Sequence, residues 1–173
     1  MRSLEDLGCI VDEIDPDLNE ADEVFHVLRA WHMESTLGDL LEKHPSQFKD
    51  TVVWNIEQGK SLKGADISRA ERLRTGLFER FSRFMDTYEF IICPGTQVLP
   101  FDINLPYVKE INGNALSNYL EWMKSCFRIS VTGHPALSVP AGFSAGGLPV
   151  GLQIIGRFRD DFGVLQFGHA FEQ

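Results

Sequence analysis

The stretch that most constrains this 173-residue chain lies near its C-terminal end. Two apolar octapeptides, Ala136-Leu-Ser-Val-Pro-Ala-Gly-Phe143 and Leu148-Pro-Val-Gly-Leu-Gln-Ile-Ile155, flank the tetrapeptide Ser144-Ala-Gly-Gly147. So short a connection between two β-prone runs points to an antiparallel hairpin. Pro140 and Pro149 cannot donate to a ladder, so they belong at strand ends, an edge or a bulge. A third apolar run, Phe90-Ile-Ile-Cys93, is stopped by Pro94-Gly95 and reads as a strand covered on both faces. Helical patterns separate these runs. The clearest places Ile67, Ala70, Leu73, Leu77, Phe81 and Phe84 on one stripe. The alternation of helix and buried strand predicts an α/β fold.

The remaining elements follow from the same signals. Leu4 and Leu7 before Gly8 read as the last turn of a helix, and residues 9–14 as a short strand closed by Asp15-Pro16. A helix over 20–41 would face inward through Val24, Val27, Leu28, Trp31, Leu37, Leu40 and Leu41, with Pro45 interrupting it. Residues 50–58 suggest a weaker helix ended by Gly59. Asp66 or Ser68 would start the next one, Ser68 with Glu71 as a capping box. A polar loop to about Asn112 precedes a helix expected over 115–127. Asp160 or Asp161 should cap a final helix whose Leu165, Gly168 and Phe171 face the core.

Composition limits the classes of function. The length fits a single domain, residues 1–173, at roughly 150 residues per domain. No apolar run approaches the roughly 20 residues that span a bilayer, and the first residues lack a secretory apolar core. Twenty-five acidic against sixteen basic side chains disfavour a nucleic-acid surface, which needs Lys and Arg to displace counterions. The basic residues between Arg69 and Arg83 alternate with Glu71 and Glu79 as on a solvated helix. Cys9, Cys93 and Cys126 are too far apart for a zinc motif and suggest reduced, buried thiols of a cytoplasmic protein.

Local motifs supply no complete catalytic machine. Gly142-Phe-Ser-Ala-Gly146 matches G-x-S-x-G, and Asp160 or Asp161 and His169 follow in hydrolase order. That elbow needs a helix after the serine, whereas a second strand is expected here. His26 and His32 diverge around their helix, and His44, His134 and His169 lie in other elements, so no metal site forms. No phosphate-cradling glycine motif is present, and no cofactor is expected.

The run from Val131 to Gly156, Val-Thr-Gly-His-Pro-Ala-Leu-Ser-Val-Pro-Ala-Gly-Phe through Gly-Leu-Pro-Val-Gly-Leu-Gln, resembles the C-terminal hallmark of the amidase signature family. Asp160-Asp161, Leu165 and Glu172 continue that pattern. Ala70, Arg74, Phe81, Asp86 and the Ile91-Ile-Cys-Pro94 stop resemble an upstream segment of the family. Leu4 to Val11 resembles a helix-to-strand junction that normally lies mid-chain.

The resemblance implies part of an α/β/α layered fold with a mixed β-sheet. The activity it implies is hydrolysis of a carboxylic amide C–N bond by a serine nucleophile, a bridging serine and a lysine base. The Gly/Ser-rich segment that carries those serines has no counterpart here. None of Lys43, Lys49, Lys60, Lys63, Lys109 or Lys124 stands in a matching context. The chain is thus expected to be the C-terminal portion of an amidase, inactive alone, and to begin inside a helix with predecessors. Exposed sheet edges should then favour the missing portion or self-association. Residues implied at the cleft for a small amide are Pro94, Gly95, Thr96, Trp122, Met123 and Ser130. Met123, twelve positions before Pro135, replaces an acid found in the glutamine-hydrolysing component of glutamyl-tRNA amidotransferase, and Ser130 replaces a common Asn. Both departures favour a general amidase over that component; the other alternative is a non-catalytic binding or scaffolding protein that keeps the amidase framework without the catalytic residues.

Overall fold

A computed structural model describes residues 2–173. After a short helix α1 (Arg2–Asp6), helices α2 (Ala21–Lys43), α3 (Asp50–Ser61) and α4 (Gly64–Thr87) precede the first strand, β1 (Phe90–Pro94). A two-residue ladder of β2 (Glu110–Ile111) and β3 (Asn114–Ala115) and helix α5 (Lys124–Ser130) lead to the hairpin of β4 (Ala136–Phe143) and β5 (Pro149–Gly156). Helix α6 (Asp161–Phe171) follows.

The main sheet has the order β1-β5-β4, and both pairings are antiparallel. Side chains alternate across it, so β1 and β5 feed two cores, while β4 contributes to one. Ile91, Cys93 and Ile155 join Phe81, Met85 and Ile129, which belong to α4 and α5. On the opposite face Phe90, Leu137, Val139 and Ile154 meet Val164, Phe167 and Phe171 of α6. Helices therefore cover both faces, and the layering is α/β/α. The strand Phe90–Pro94 is covered on both sides as expected, yet its residues stay partly exposed because it is an edge. A mixed sheet, implied by the resemblance, is represented among the described residues by antiparallel pairs alone.

The hairpin forms where the sequence places it. Pro140 lies on edge strand β4 beside a register irregularity that ends at Phe143, and Pro149 opens β5. Gly142 and Gly147 take φ of 99° and 78°, which a side chain would resist. The last helix starts as expected, with the Asp160 carboxylate accepting from the Gly163 N–H at 3.1 Å.

Several expectations are corrected. Residues 9–14 form no strand: Ile10 is 97% exposed and no strand pairs with the segment among the described residues, and β-propensity without a neighbour is not enough. Residues 116–120 are not helical. Ser117 there bonds Glu121, and the Asn118 side chain accepts from the Leu120 N–H, local bonds that compete with a helix. Helix α4 starts earlier than Ser68, with the Asp66 carboxylate accepting from the Lys63 N–H at 2.8 Å, while Ser68 accepts from Arg72 inside the helix. Gly59 does not stop α3 but lies within it, against Ala30 of α2. Trp31, Leu40 and Leu165 point partly outward, and Ala21, Ala30 and Val164 take the inward positions. The three cysteines are free thiols, half-buried rather than sealed.

Candidate functional site

The concavity that gathers the most features of interest lies where β1 runs out. Gln153 of β5 breaks an apolar strand, and the residue is 8% exposed. Its amide nitrogen donates to the Pro94 carbonyl at 3.2 Å and to the Ser125 carbonyl at 3.1 Å, tying strand end to α5. Gly95 then continues the ladder, its N–H donating to the Gly151 carbonyl at 2.9 Å. A Cβ at residue 95 would sit 3.2 Å from the Gly151 backbone, so the close approach favours glycine. The chain turns out at Thr96, whose hydroxyl donates to the Val98 carbonyl at 2.7 Å.

Beyond that turn opens a groove of about 640 Å³. Its walls include Thr96, Leu99, Phe101, Trp122, Pro140 and Phe143. Phe101 and Trp122 meet edge to face with centroids 5.5 Å apart, which props the loop against the turn before α5. Among the described residues, no charged side chain lines the groove.

The six residues singled out in the sequence divide accordingly. Thr96 and Trp122 line the groove together, and Pro94 and Gly95 build the turn that delivers Thr96. Met123 closes a short 3-10 turn through its N–H to the Leu120 carbonyl, and the Ser130 hydroxyl donates back to the Cys126 carbonyl. Neither lines the groove. Phe101 and Phe143 join the lining only in the structure, and Gln153 braces the turn behind it. Gln153 carries a signal in the sequence, a lone amide inside an apolar strand. Phe101 and Phe143 carry none, being ordinary aromatic residues.

The other motifs keep structural roles. Ser144 is followed by a turn and then β5, and its hydroxyl accepts from the Leu148 N–H at 3.1 Å, as a hairpin turn and not an elbow requires. No metal-holding cluster occurs among the described residues. Lys60 and Lys124 pair with Glu57 and Asp22, and Lys109 lies over the Tyr107 ring.

Charge is organised away from the groove. Arg128 grips Asp22 with two bonds of 2.6 and 2.8 Å, which holds the carboxyl below its usual range and ties α5 to α2. His134, buried among Phe78, Phe81 and Phe158, places its Nδ1 at 3.1 Å from the Thr132 carbonyl. Burial holds its imidazole below the ordinary 6.5. A depressed imidazole stabilises the fold above its ordinary value and loses that contribution as pH falls through the lower folded value. Unfolding free energy from urea titrations should therefore decline as pH drops from 6.5, by at most about 1.4 kcal/mol per pH unit for each such histidine. His134→Phe should flatten that slope without abolishing it, because burial also depresses His26.

A sheet covered on both faces by helices, with a groove at one strand end, defines an α/β protein of layered type. The family model described as Amidase matches residues 2–165, and the chain belongs to the amidase family. It is 31% identical to an acylamidase of Rhodococcus erythropolis over 137 residues, covering 78% of this chain and 28% of that protein. It is 32% identical to a subunit of the glutamyl-tRNA(Gln) amidotransferase of Thermodesulfovibrio yellowstonii, covering 100% of this chain and 40% of that one. Among solved structures, a bacterial aryl acylamidase of the amidase signature family superposes with a TM-score of 0.84 at 23% identity, over 99% of this chain and 38% of that one. Another amidase gives 0.87 at 24%, over 99% and 40%. The chain thus spans well under half the length of these relatives.

Proposed function

We propose that this chain acts as the C-terminal part of an enzyme that hydrolyses a carboxylic amide C–N bond to a carboxylate and ammonia or an amine. In this reading residues 1–173 are one incomplete domain that contributes sheet and one wall of the substrate cleft. The nucleophilic serine, its partner serine and the lysine base belong to another portion, and no cofactor takes part. The observation that carries it is the uncharged groove, where Thr96 and Trp122 come together at the end of the matched β1 segment. Pro94 and Gly95 position that wall, whereas Met123 and Ser130 stand outside its lining.

A general amidase is favoured over the glutamine-hydrolysing component of the amidotransferase because Met123 offers no charge to a substrate ammonium. A cytoplasmic setting is consistent with free thiols and with the lack, among the described residues, of any helix long and apolar enough to cross a membrane.

The test supplies a catalytic half in trans. The purified chain is mixed with the separately produced N-terminal part of the Rhodococcus acylamidase, and hydrolysis of a simple aryl amide is followed. Each part alone should be inert and the mixture active. Inert mixtures, whether or not the parts co-sediment, would sink the reading. So would hydrolysis by the chain alone that disappears in Ser144→Ala.

A further inference from the structure

Two thiols unused by that function converge beneath the turn at Pro94. Cys93 stands opposite Gln153 in the antiparallel ladder, so the two side chains leave the same face of the sheet. That face carries α4 and α5, since Cys93 packs with Phe81, Met85, Ile129 and Ile155. Cys126 reaches the same place from α5. Its S–H donates to the Gly95 carbonyl at 2.9 Å, two residues beyond Cys93. The Gln153 amide nitrogen lies 3.8 Å from the Cys93 sulfur and 3.1 Å from the carbonyl of Ser125, the residue before Cys126. One side chain thus gathers the strand end and the helix turn that bear the two sulfurs. Both cysteines keep partial exposure, which admits a small oxidant.

We propose that Cys93 and Cys126 form a peroxide-sensitive dithiol that closes to an intramolecular disulfide, joining the end of β1 to α5. The chemistry balances with hydrogen peroxide as oxidant. The Cys126 thiolate takes one peroxide oxygen to become a sulfenic acid, and the other oxygen leaves as water once protonated. The Cys93 sulfur then attacks the sulfenic sulfur, the S–S bond forms as the S–O bond breaks, and the hydroxyl departs as water with the proton lost from Cys93. Two thiols and one peroxide thus yield one disulfide and two waters. Burial, and next the nearby Cys126, push the Cys93 thiol up to about 11, so Cys93 is a poor first target for peroxide and the loss of its proton limits the second step. Closure removes the S–H bond to Gly95, so the turn carrying Thr96 loses one of its anchors.

The experiment is peptide mapping of the native chain after brief peroxide treatment, with free thiols then alkylated and the chain cut by trypsin without reduction. Cys93 falls in the peptide 84–109, Cys126 in 125–128 and Cys9 in 3–29. The expected result is a linked pair of the first two peptides, lighter by two hydrogens than their sum, from protein that runs as one chain before digestion. Reduction should restore both thiols. Recovery of the two peptides separately, as unmodified thiols or as sulfinic or sulfonic acids, would overturn the proposal. So would a bridge that involves Cys9 or joins two copies. The mapping uses the unsubstituted sequence, so no variant need fold for the result to count. It reads no hydrolysis, so it stands or falls apart from the amidase reading.

Discussion

Phe81→Ala should destabilise the chain by about 3–5 kcal/mol, the range for removing a fully buried aromatic side chain and leaving a cavity. Phe81 is 1% exposed and lies among Met85, Ile129 and Ile155, where α4, α5 and the sheet meet. Its ring also meets His134 edge to face at 4.7 Å. Removing it therefore strips contacts from three elements together, and relaxation of one of them cannot close the gap. Urea unfolding measures the loss. Phe81→Leu retains most of the volume and should lose clearly less. Equal losses for the two variants would mean that the ring itself, not the space it fills, is what matters.

Gly59→Ala should also destabilise, by about 1–3 kcal/mol, the usual cost of forcing extra volume into a packed contact. Helix propensity alone argues for the opposite sign, since alanine is preferred to glycine inside a helix by about 1 kcal/mol. Packing wins because a Cβ at 59 would lie 2.3 Å from the Ala30 carbonyl oxygen and 2.5 Å from the Glu34 Cβ. A backbone oxygen cannot swing aside, so α2 and α3 would have to separate. Gly76 in α4 is the matched control. A Cβ there meets nothing nearer than the end of Arg80 at 3.5 Å, so Gly76→Ala should stabilise by up to about 1 kcal/mol. Stabilisation by both substitutions in thermal melts would refute the packing argument.

Gly59 also shows where local reading of a chain stops. A glycine after a helical pattern has the same letters whether it ends the helix or lets two helices touch, and only the position of Ala30 decides. The hairpin, by contrast, is legible because its strands, turn and prolines all lie within about twenty neighbouring residues, residues 136–156. The stripe from Ile67 to Phe84 is legible for the same reason, its period being internal to one helix. Residues 9–14 mislead because strand formation depends on a partner that the segment itself does not specify. Residues 116–120 mislead because Ser117 and Asn118 satisfy nearby backbone and side-chain groups in a non-helical turn.

The groove divides in the same way. Pro94, Gly95 and Thr96 announce themselves as the stop of an apolar strand. Phe101 and Trp122 are twenty-one residues apart in the chain and meet through a loop whose path no periodicity describes. Phe143 arrives from the far strand of the hairpin because a register irregularity follows Pro140. Family resemblance locates the segment, but pairing across the sheet determines which of its side chains share a surface.

The Gln153 carboxamide has a spectroscopic consequence. A side-chain amide in water rotates, and its two protons exchange quickly with solvent. Here one nitrogen is held by carbonyls from β1 and α5 at once. Its two protons should resonate at well-separated frequencies and exchange with deuterium far more slowly than those of exposed Gln58. When strand end and helix part, both carbonyls are lost to that nitrogen together. A single pair of nuclear resonances thus becomes a gauge of whether the layers under the groove are closed.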